Sequence, residues 1–315
     1  MKILITGVHG FVGSNLVSSL SKEYDIYGLD IIAPEKSGVV KTYSWDDLDD
    51  GKVPEVDAIV HLAGKAHDTK NQTVADIYFK VNTGLTQKIF DYFQAHEGIK
   101  KFVFFSTAKA AADKVEGVLT EDITPNPVGP YGESKIKAEE YILSHTDSTD
   151  NTEKQVYIFR PCMIHGPGNK GNLNLLYNVV KKGIPWPLGA FENRRTFTSV
   201  ENICFAVNGV LTKDVPSGIY NMGDDEALST NELIEEICKS LGKKAHIWRL
   251  PKGMMNGVAK VGGWLHLPLN PERLRKLTES YISSNAKIKK ALGVEKMPVD
   301  AREGLKVTLE SFAKE

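Results

Sequence analysis

The chain has 315 residues, enough for one large or two fused domains, and 41% hydrophobic with 25% charged residues is the composition of an ordinary globular protein, not a disordered or fibrous one. Lys and Arg (39) balance Asp and Glu (40) without strong charge blocks, so no bulk field attracts nucleic acid. Cys162, Cys204 and Cys238 are far apart and odd in number, which suits neither a disulfide framework nor a zinc site, and no run reaches the ~18 apolar residues of a membrane span.

A cytoplasmic protein without metal, nucleic-acid or membrane partner is therefore expected. Met1 leads within two residues into Ile3-Leu4-Ile5, too short for the apolar region of a signal peptide.

In chain order, β-rich apolar runs predict strands at Lys2–Thr6, Asp25–Leu29, 39–43, 58–62, Lys101–Phe105 and 156–159. Between them, Phe11–Leu20, 74–95 and 131–143 carry apolar residues at three- and four-residue spacing, as amphipathic helices do. Strands alternating with helices read as a doubly wound α/β fold, a parallel sheet of the Rossmann kind. After Arg160 the rhythm breaks at Gly166-Pro167-Gly168 and Gly183-Ile184-Pro185-Trp186-Pro187. Residues 1–160 are expected to bind a dinucleotide, and 161–315 to form a smaller substrate-binding part, with some segments returning to the sheet.

The first strand runs straight into Gly7-Val8-His9-Gly10-Phe11-Val12-Gly13 and a helix. Glycines at such a turn let the backbone approach a pyrophosphate, whose charge the helix N-terminus favours. Asp30, closing the second strand, can accept bonds from both adenosine ribose hydroxyls and would repel a 2'-phosphate, favouring NAD over NADP. Asp47-Leu48 follows the third strand as either an adenine contact or part of a solvated acidic loop with Asp46, Asp49 and Asp50.

Tyr131 and Lys135 stand one turn apart on one helix face. A phenol is a poor base near neutrality, but a neighbouring ammonium and an oxidised nicotinamide favour the tyrosinate, making Tyr131 a usable proton acceptor. Lys135 can also reach the nicotinamide ribose. The fifth strand delivers Ser106-Thr107 to the sheet edge where ligands bind in open α/β folds. Thr107 is assigned the bond to the substrate hydroxyl or carbonyl, with Ser106 as the alternative.

With these residues in place the chain closely resembles the extended short-chain dehydrogenase/reductase family, which includes nucleotide-sugar epimerases, dehydratases and 4-ketoreductases. The resemblance runs from the glycine turn through His61-Leu62-Ala63-Gly64, Asn82, Ser106-Thr107, Tyr131 and Lys135 to Arg160-Pro161 and Ile164-His165-Gly166-Pro167-Gly168. It implies that Leu62, Ala63, Gly64, Asn82 and Ser106 join Gly7, Gly10, Phe11, Val12, Gly13 and Asp30 around NAD. It also implies a nucleotide-sugar substrate, UDP-linked, and a homodimer through the helices at 74–95 and 131–143. Ile89, Phe90, Phe93, Ile136 and Ile142 exceed what one sheet face is expected to cover.

The segment Asn193-Arg194-Arg195-Thr196-Phe197 looks like the family stretch that places an arginine on the diphosphate, so Arg195 is its candidate holder, or one of an arginine pair in a surface loop. Asn172 and Asn174 are either diphosphate contacts or turn residues. The dehydratase branch follows its strand-end threonine with two acids, and here Thr107 is followed by Ala108-Lys109. Met163 stands where the typical epimerase has an asparagine. The expected activity is 4-epimerisation of a UDP-hexose or UDP-N-acetylhexosamine through a 4-keto intermediate. The alternatives are a nucleotide-4-ketosugar reductase and a non-catalytic dinucleotide sensor.

Overall fold

The computed structural model describes residues 1–65, 74–146, 153–265 and 269–314. Its first part comprises β1 (Lys2–Thr6), α1 (Phe11–Leu20), β2 (Asp25–Leu29), β3 (Lys41–Tyr43), α2 (Trp45–Asp49) and β4 (Ala58–His61), followed by α3 (Ala75–Tyr78), a π-helical turn (Phe79–Gly84) and α4 (Leu85–Ala95). Then come β5 (Lys101–Phe105), α5 (Ala108–Ala111), β6 (Val118–Leu119), α6 (Pro130–Ser144) and β7 (Gln155–Pro161). The remainder contains β8 (Met163–His165), α7 (Asn172–Lys181), β9 (Phe197–Ser199), α8 (Val200–Thr212), β10 (Gly218–Met222), α9 (Thr230–Ser240), α10 (Lys252–Trp264), α11 (Pro271–Thr278), β11 (Ile282–Ser283), α12 (Ala286–Leu292) and α13 (Ala301–Lys314).

Seven parallel strands form one sheet in the order β10-β7-β5-β4-β1-β2-β3. The chain moves outward from β1 to β3, then returns to place β4 on the other flank of β1. Ligands bind at the carboxyl ends of strands at such a reversal, because diverging connections leave a crevice there. Strand alternation sends Ile3, Ile5, Val103 and Phe105 into the core under α1 and α8, and Leu4, Phe102 and Phe104 into the core under α4 and α6. The expected doubly wound α/β architecture is what the chain adopts.

Two departures from the periodicity matter for the site. The expected helix at 74–95 is interrupted by the π turn, which sets Asn82 fully buried. From the first turn of α4, the Thr86 hydroxyl donates to the Asn82 carbonyl at 2.6 Å. Further, Ile89, Phe90, Phe93 and Ile142 are fully covered within the core between α4, α6 and the sheet, and only Ile136 is partly exposed. The expectation that one sheet face could not cover these side chains is therefore corrected for Ile89, Phe90, Phe93 and Ile142.

Strand β10 brings the second half back to the sheet, with α8 and α12 packed on the same face as α1. A buried polar cluster fastens the rest. Asp224 accepts from the Ser199 backbone and hydroxyl and from Asn202 Nδ2 (2.9, 3.0 and 2.7 Å), and His165 lies between Asp224 and Thr308 on α13.

Candidate active site

Gly7 leaves β1 with φ +69°, a left-handed conformation that glycine adopts without strain. Close approach rather than conformation requires Gly13, since a Cβ there would stand 2.4 Å from the Gly7 carbonyl oxygen. Helix α1 then begins at Phe11 with no side-chain cap at Gly10 and no acid in its first turn. Its leading N–H groups, from Phe11, Val12 and Gly13, are thus offered to an anion brought from outside, as a pyrophosphate requires. Beside this turn the Asp30 carboxylate accepts from the backbone N–H of His9 (3.0 Å) and of Ile31 (2.8 Å), which fixes it at the end of β2. Uncapped N–H groups next to an oriented carboxylate are the donor and acceptor set of a dinucleotide.

Asp47 is used differently. It is the third residue of α2, where Ser44 N and Oγ both donate to its carboxylate and Ser44 Oγ accepts its N–H, a closed capping box. Those bonds and Lys52 hold its carboxyl below the ordinary range. Leu48 is buried in the core under α4.

A buried hydrogen-bonded chain connects the glycine turn to the catalytic helix. Thr6 Oγ1 accepts from Leu62 N (3.1 Å) and Ala63 N (3.0 Å), which fills its lone pairs, so its proton goes to His61 Nδ1 at 2.6 Å. His61 then carries its proton on Nε2 and donates to Thr86 Oγ1 at 2.9 Å, and Thr86 donates onward to Asn82. Burial, then the nearby Lys135 charge, keeps the imidazole neutral by lowering its pKa well below the ordinary value. Asn82 grips both polar backbone groups of Lys65 (2.7 and 3.2 Å) and donates to Ser134 Oγ at 2.9 Å, whose proton goes to the Tyr131 carbonyl at 2.9 Å. Asn82 thereby holds the loop after β4, with Leu62, Ala63 and Gly64, against the first turn of α6.

On that turn the Tyr131 hydroxyl is hydrogen-bonded to Thr107. Thr107 lies two residues beyond β5 and caps α5, accepting from Lys109 N at 3.3 Å, so the cap and the hydroxyl that meets Tyr131 are one residue. Burial raises the Tyr131 pKa, and the Thr107 bond works against that rise. Tyr78 packs edge-on against the Tyr131 ring, with centroids 6.2 Å apart. One turn on, Lys135 donates to the Phe105 carbonyl at 2.8 Å, and a Cβ on Gly64 would lie 3.3 Å from its Nζ. Burial pushes the Lys135 ammonium down to about 8, against the lifting influence of Glu139.

Glu139 continues the series Tyr131, Lys135, Glu139 along α6, and the sequence reading passed over it. Both oxygens take the Arg160 guanidinium (Nε at 3.0 and 3.1 Å, Nη2 at 2.5 Å), and Ser106 Oγ donates to Oε1. Arg160 is 2% exposed and Glu139 0%, so water screens neither charge. The signal was present as a third ionisable residue at four-residue spacing, on a helix that also buries Ala138 and Ile142.

The substrate-side candidates are less gathered. Asn172 is exposed in the first turn of α7, and Asn174 accepts from Asn178 on the same helix at 2.9 Å. Arg195 donates through Nε to the Glu279 carbonyl (3.0 Å) and through Nη2 to the Lys276 carbonyl, both at the end of α11. A diphosphate would have to share this guanidinium with those carbonyls. Met163 packs partly against the core shared by α7, α9 and α13.

A family model described as "NAD dependent epimerase/dehydratase family" matches residues 3–223. The chain is 31% identical over 274 residues to a UDP-glucose 4-epimerase of Vibrio cholerae, covering 79% of this chain and 78% of that protein. It is 29% identical over 263 residues, 81% and 77% of the two lengths, to an N-acetyl-alpha-D-glucosaminyl-diphospho-ditrans,octacis-undecaprenol 4-epimerase of Escherichia coli O157:H7. Among solved structures, a UDP-glucuronic acid 4-epimerase from Bacillus cereus in complex with NAD superposes with a TM-score of 0.76 at 21% identity, covering 100% of this chain and 99% of that one, a likeness of fold.

Proposed function

The chain belongs to the NAD-dependent epimerase/dehydratase family, and from that premise we propose that it is a 4-epimerase of a UDP-hexose or UDP-N-acetylhexosamine. The observation that carries this reading is the Thr107–Tyr131 hydroxyl pair beside buried Lys135 at the carboxyl edge of the sheet. Gly7, Gly10, Phe11, Val12 and Gly13 would hold the pyrophosphate of NAD, Asp30 the adenosine ribose, and Lys135 the nicotinamide ribose. When bound, NAD supplies oxidation and then reduction at C4 of the sugar, by way of a 4-keto sugar.

The chain's own residues handle the proton. Tyr131 accepts it from the sugar 4-hydroxyl, directly or through Thr107, and returns it when the hydroxyl re-forms. Burial raises the Tyr131 pKa and the Thr107 bond lowers it; the further lowering that use as a base requires would come from the Lys135 ammonium and the oxidised nicotinamide when NAD is bound. Glu139 and Arg160 carry no proton in this scheme and hold Ser106 in place behind Thr107. Ala108 and Lys109, following Thr107, supply no carboxylate pair for dehydration.

Incubation with a panel of UDP-hexoses and UDP-N-acetylhexosamines, followed by NMR of the sugar products, tests the proposal. An epimerase converts one sugar to its C4 epimer with no net consumption of added NADH. Product formation only at the cost of one NADH per turnover would identify a 4-ketoreductase instead.

A further inference from the structure

Helix α10 packs with one side only. Met255, Ala259 and Gly262 are buried, with the first two in a small core shared with Leu188 and Leu274. Met254, Val258, Val261 and Leu265 recur at four-, three- and four-residue spacing, which aligns them in one stripe along the helix. They are 47%, 49%, 55% and 51% exposed, and Trp264 beside them is 81% exposed. An apolar stripe about three turns long that ends on an open tryptophan is a surface that seeks a partner.

The charge around this stripe is one-sided in a chain that is otherwise balanced. Between Lys243 and Lys276 the sequence holds eight Lys and Arg against a single acid, Glu272, and α10 contains no acid at all. Lys252 and Lys260 lie on α10 itself, and Arg273 and Lys276 on α11, its neighbour. An apolar face with tryptophan, flanked by lysine and arginine, is the pattern of a helix lying in the plane of an anionic lipid interface. Because such a helix rests on the bilayer instead of crossing it, it needs no long apolar run, and no helix among the described residues has one.

We propose that α10 seats the protein on an anionic bilayer surface. A second copy is the less favourable occupant, since pairing two α10 faces would bring two basic arms together, and the one acid of the stretch, Glu272, is already paired with Lys276 at 2.7 Å. A lipid surface also needs no shape complementary to a convex helix. Arg195 ties the segment proposed to meet the diphosphate to the end of α11, so the membrane contact would sit on the substrate-binding side of the molecule. This assignment does not depend on which sugar is turned over.

Co-sedimentation of the purified full chain with phosphatidylglycerol-containing vesicles tests the proposal, with pure phosphatidylcholine vesicles as control. Binding to the anionic vesicles at low salt, at least about tenfold weaker on phosphatidylcholine and reversed by high salt, is expected. The Val261→Ser/Trp264→Ser variant should bind at least about tenfold more weakly while its turnover of soluble UDP-sugar is unchanged. The charge variant Lys252→Glu/Lys260→Glu should act in the same direction, which guards against a folding defect in the first. Absence of vesicle binding by the unmodified chain, or binding by both variants as tight as that of the unmodified chain, would overturn the assignment. A fall in molar mass of the stripe variant by light scattering, without vesicle binding by the parent, would give the face to a second copy.

Discussion

The Tyr131 hydroxyl and the Thr107 hydroxyl are hydrogen-bonded to each other where the catalytic helix meets the end of β5. Tyr131→Phe deletes one partner of that pair with almost no change of shape. Turnover should fall by on the order of a hundredfold or more, the usual worth of a general acid-base group, while NAD affinity is kept. Single-turnover absorbance of the nicotinamide and fluorescence titration with NAD read the two quantities separately. Activity within a fewfold of the parent would mean that another group takes the proton.

Asp30 is held by the N–H groups of His9 and Ile31. Parallel calorimetric titrations should show tighter binding of NAD(H) than of NADP(H). Asp30→Ala should weaken NAD(H) by about tenfold or more, the scale of one charge-assisted hydrogen bond, and narrow the gap. An unchanged preference would move the selectivity elsewhere.

Glu139→Gln leaves Arg160 buried without its counter-charge. Breaking a fully buried pair from one side costs about 3–5 kcal/mol, so denaturant unfolding should show a loss of that order. The same change removes the influence that lifts Lys135, so the basic limb of any pH–rate profile governed by that lysine should move to lower pH. A merely structural Glu139 would reproduce the stability loss and leave the profile in place.

His61 gives an acid-side prediction. Its folded pKa lies well below the ordinary value near 6.5, so between those two values the unfolded chain binds a proton that the native chain refuses. Stability from this residue is therefore fully present above about pH 6.5 and drains away as pH falls below it. His61→Gln can keep one donor and one acceptor but cannot titrate. Its unfolding midpoint should depend less steeply on pH between about 6.5 and 5 than that of the parent. Parallel slopes would assign the acid lability to carboxylates alone.

Arg195 is already engaged by the carbonyls of Lys276 and Glu279. If it also grips the diphosphate, Arg195→Lys should raise KM for the nucleotide sugar more than it lowers kcat, since the contact is nearly equal in ground and transition states. If tying down α11 is its whole task, thermal stability should fall with KM unmoved.

The sequence was most legible where local signals and burial agree. Lys2–Thr6, Asp25–Leu29, Lys101–Phe105 and Phe11–Leu20 have the bounds that alternation and helical spacing predict. Legibility failed where distant residues decide. Nothing near Asn82 announces a π turn, because its partners Lys65 and Ser134 come from other elements. Glu139 gains its meaning only from Arg160 on β7 and from Ser106, the residue that follows β5. Asp47 reads in the sequence as a ligand contact or part of a solvated loop, whereas Ser44, three residues earlier, makes it half of a capping box. The apolar residues of α4 read as surplus in the sequence because the width of the sheet that covers them is set by strand order, which periodicity does not reveal.

The buried chain from Thr6 through His61, Thr86, Asn82 and Ser134 to Tyr131 joins positions far apart along the polypeptide, and this bears on when activity can appear. As the protein is synthesised, β1 emerges early but has no reason to fix the first turn of α6 until that helix exists. Arg160 must then arrive on β7 before Glu139 has a counter-charge. Closure entropy for such distant pairings is spent before they repay it, which places the catalytic geometry late in folding. A nascent or truncated chain ending before β7 should be able to collapse around its apolar strands and yet be inert. Recovery of activity after dilution from denaturant should accordingly lag behind recovery of helical signal.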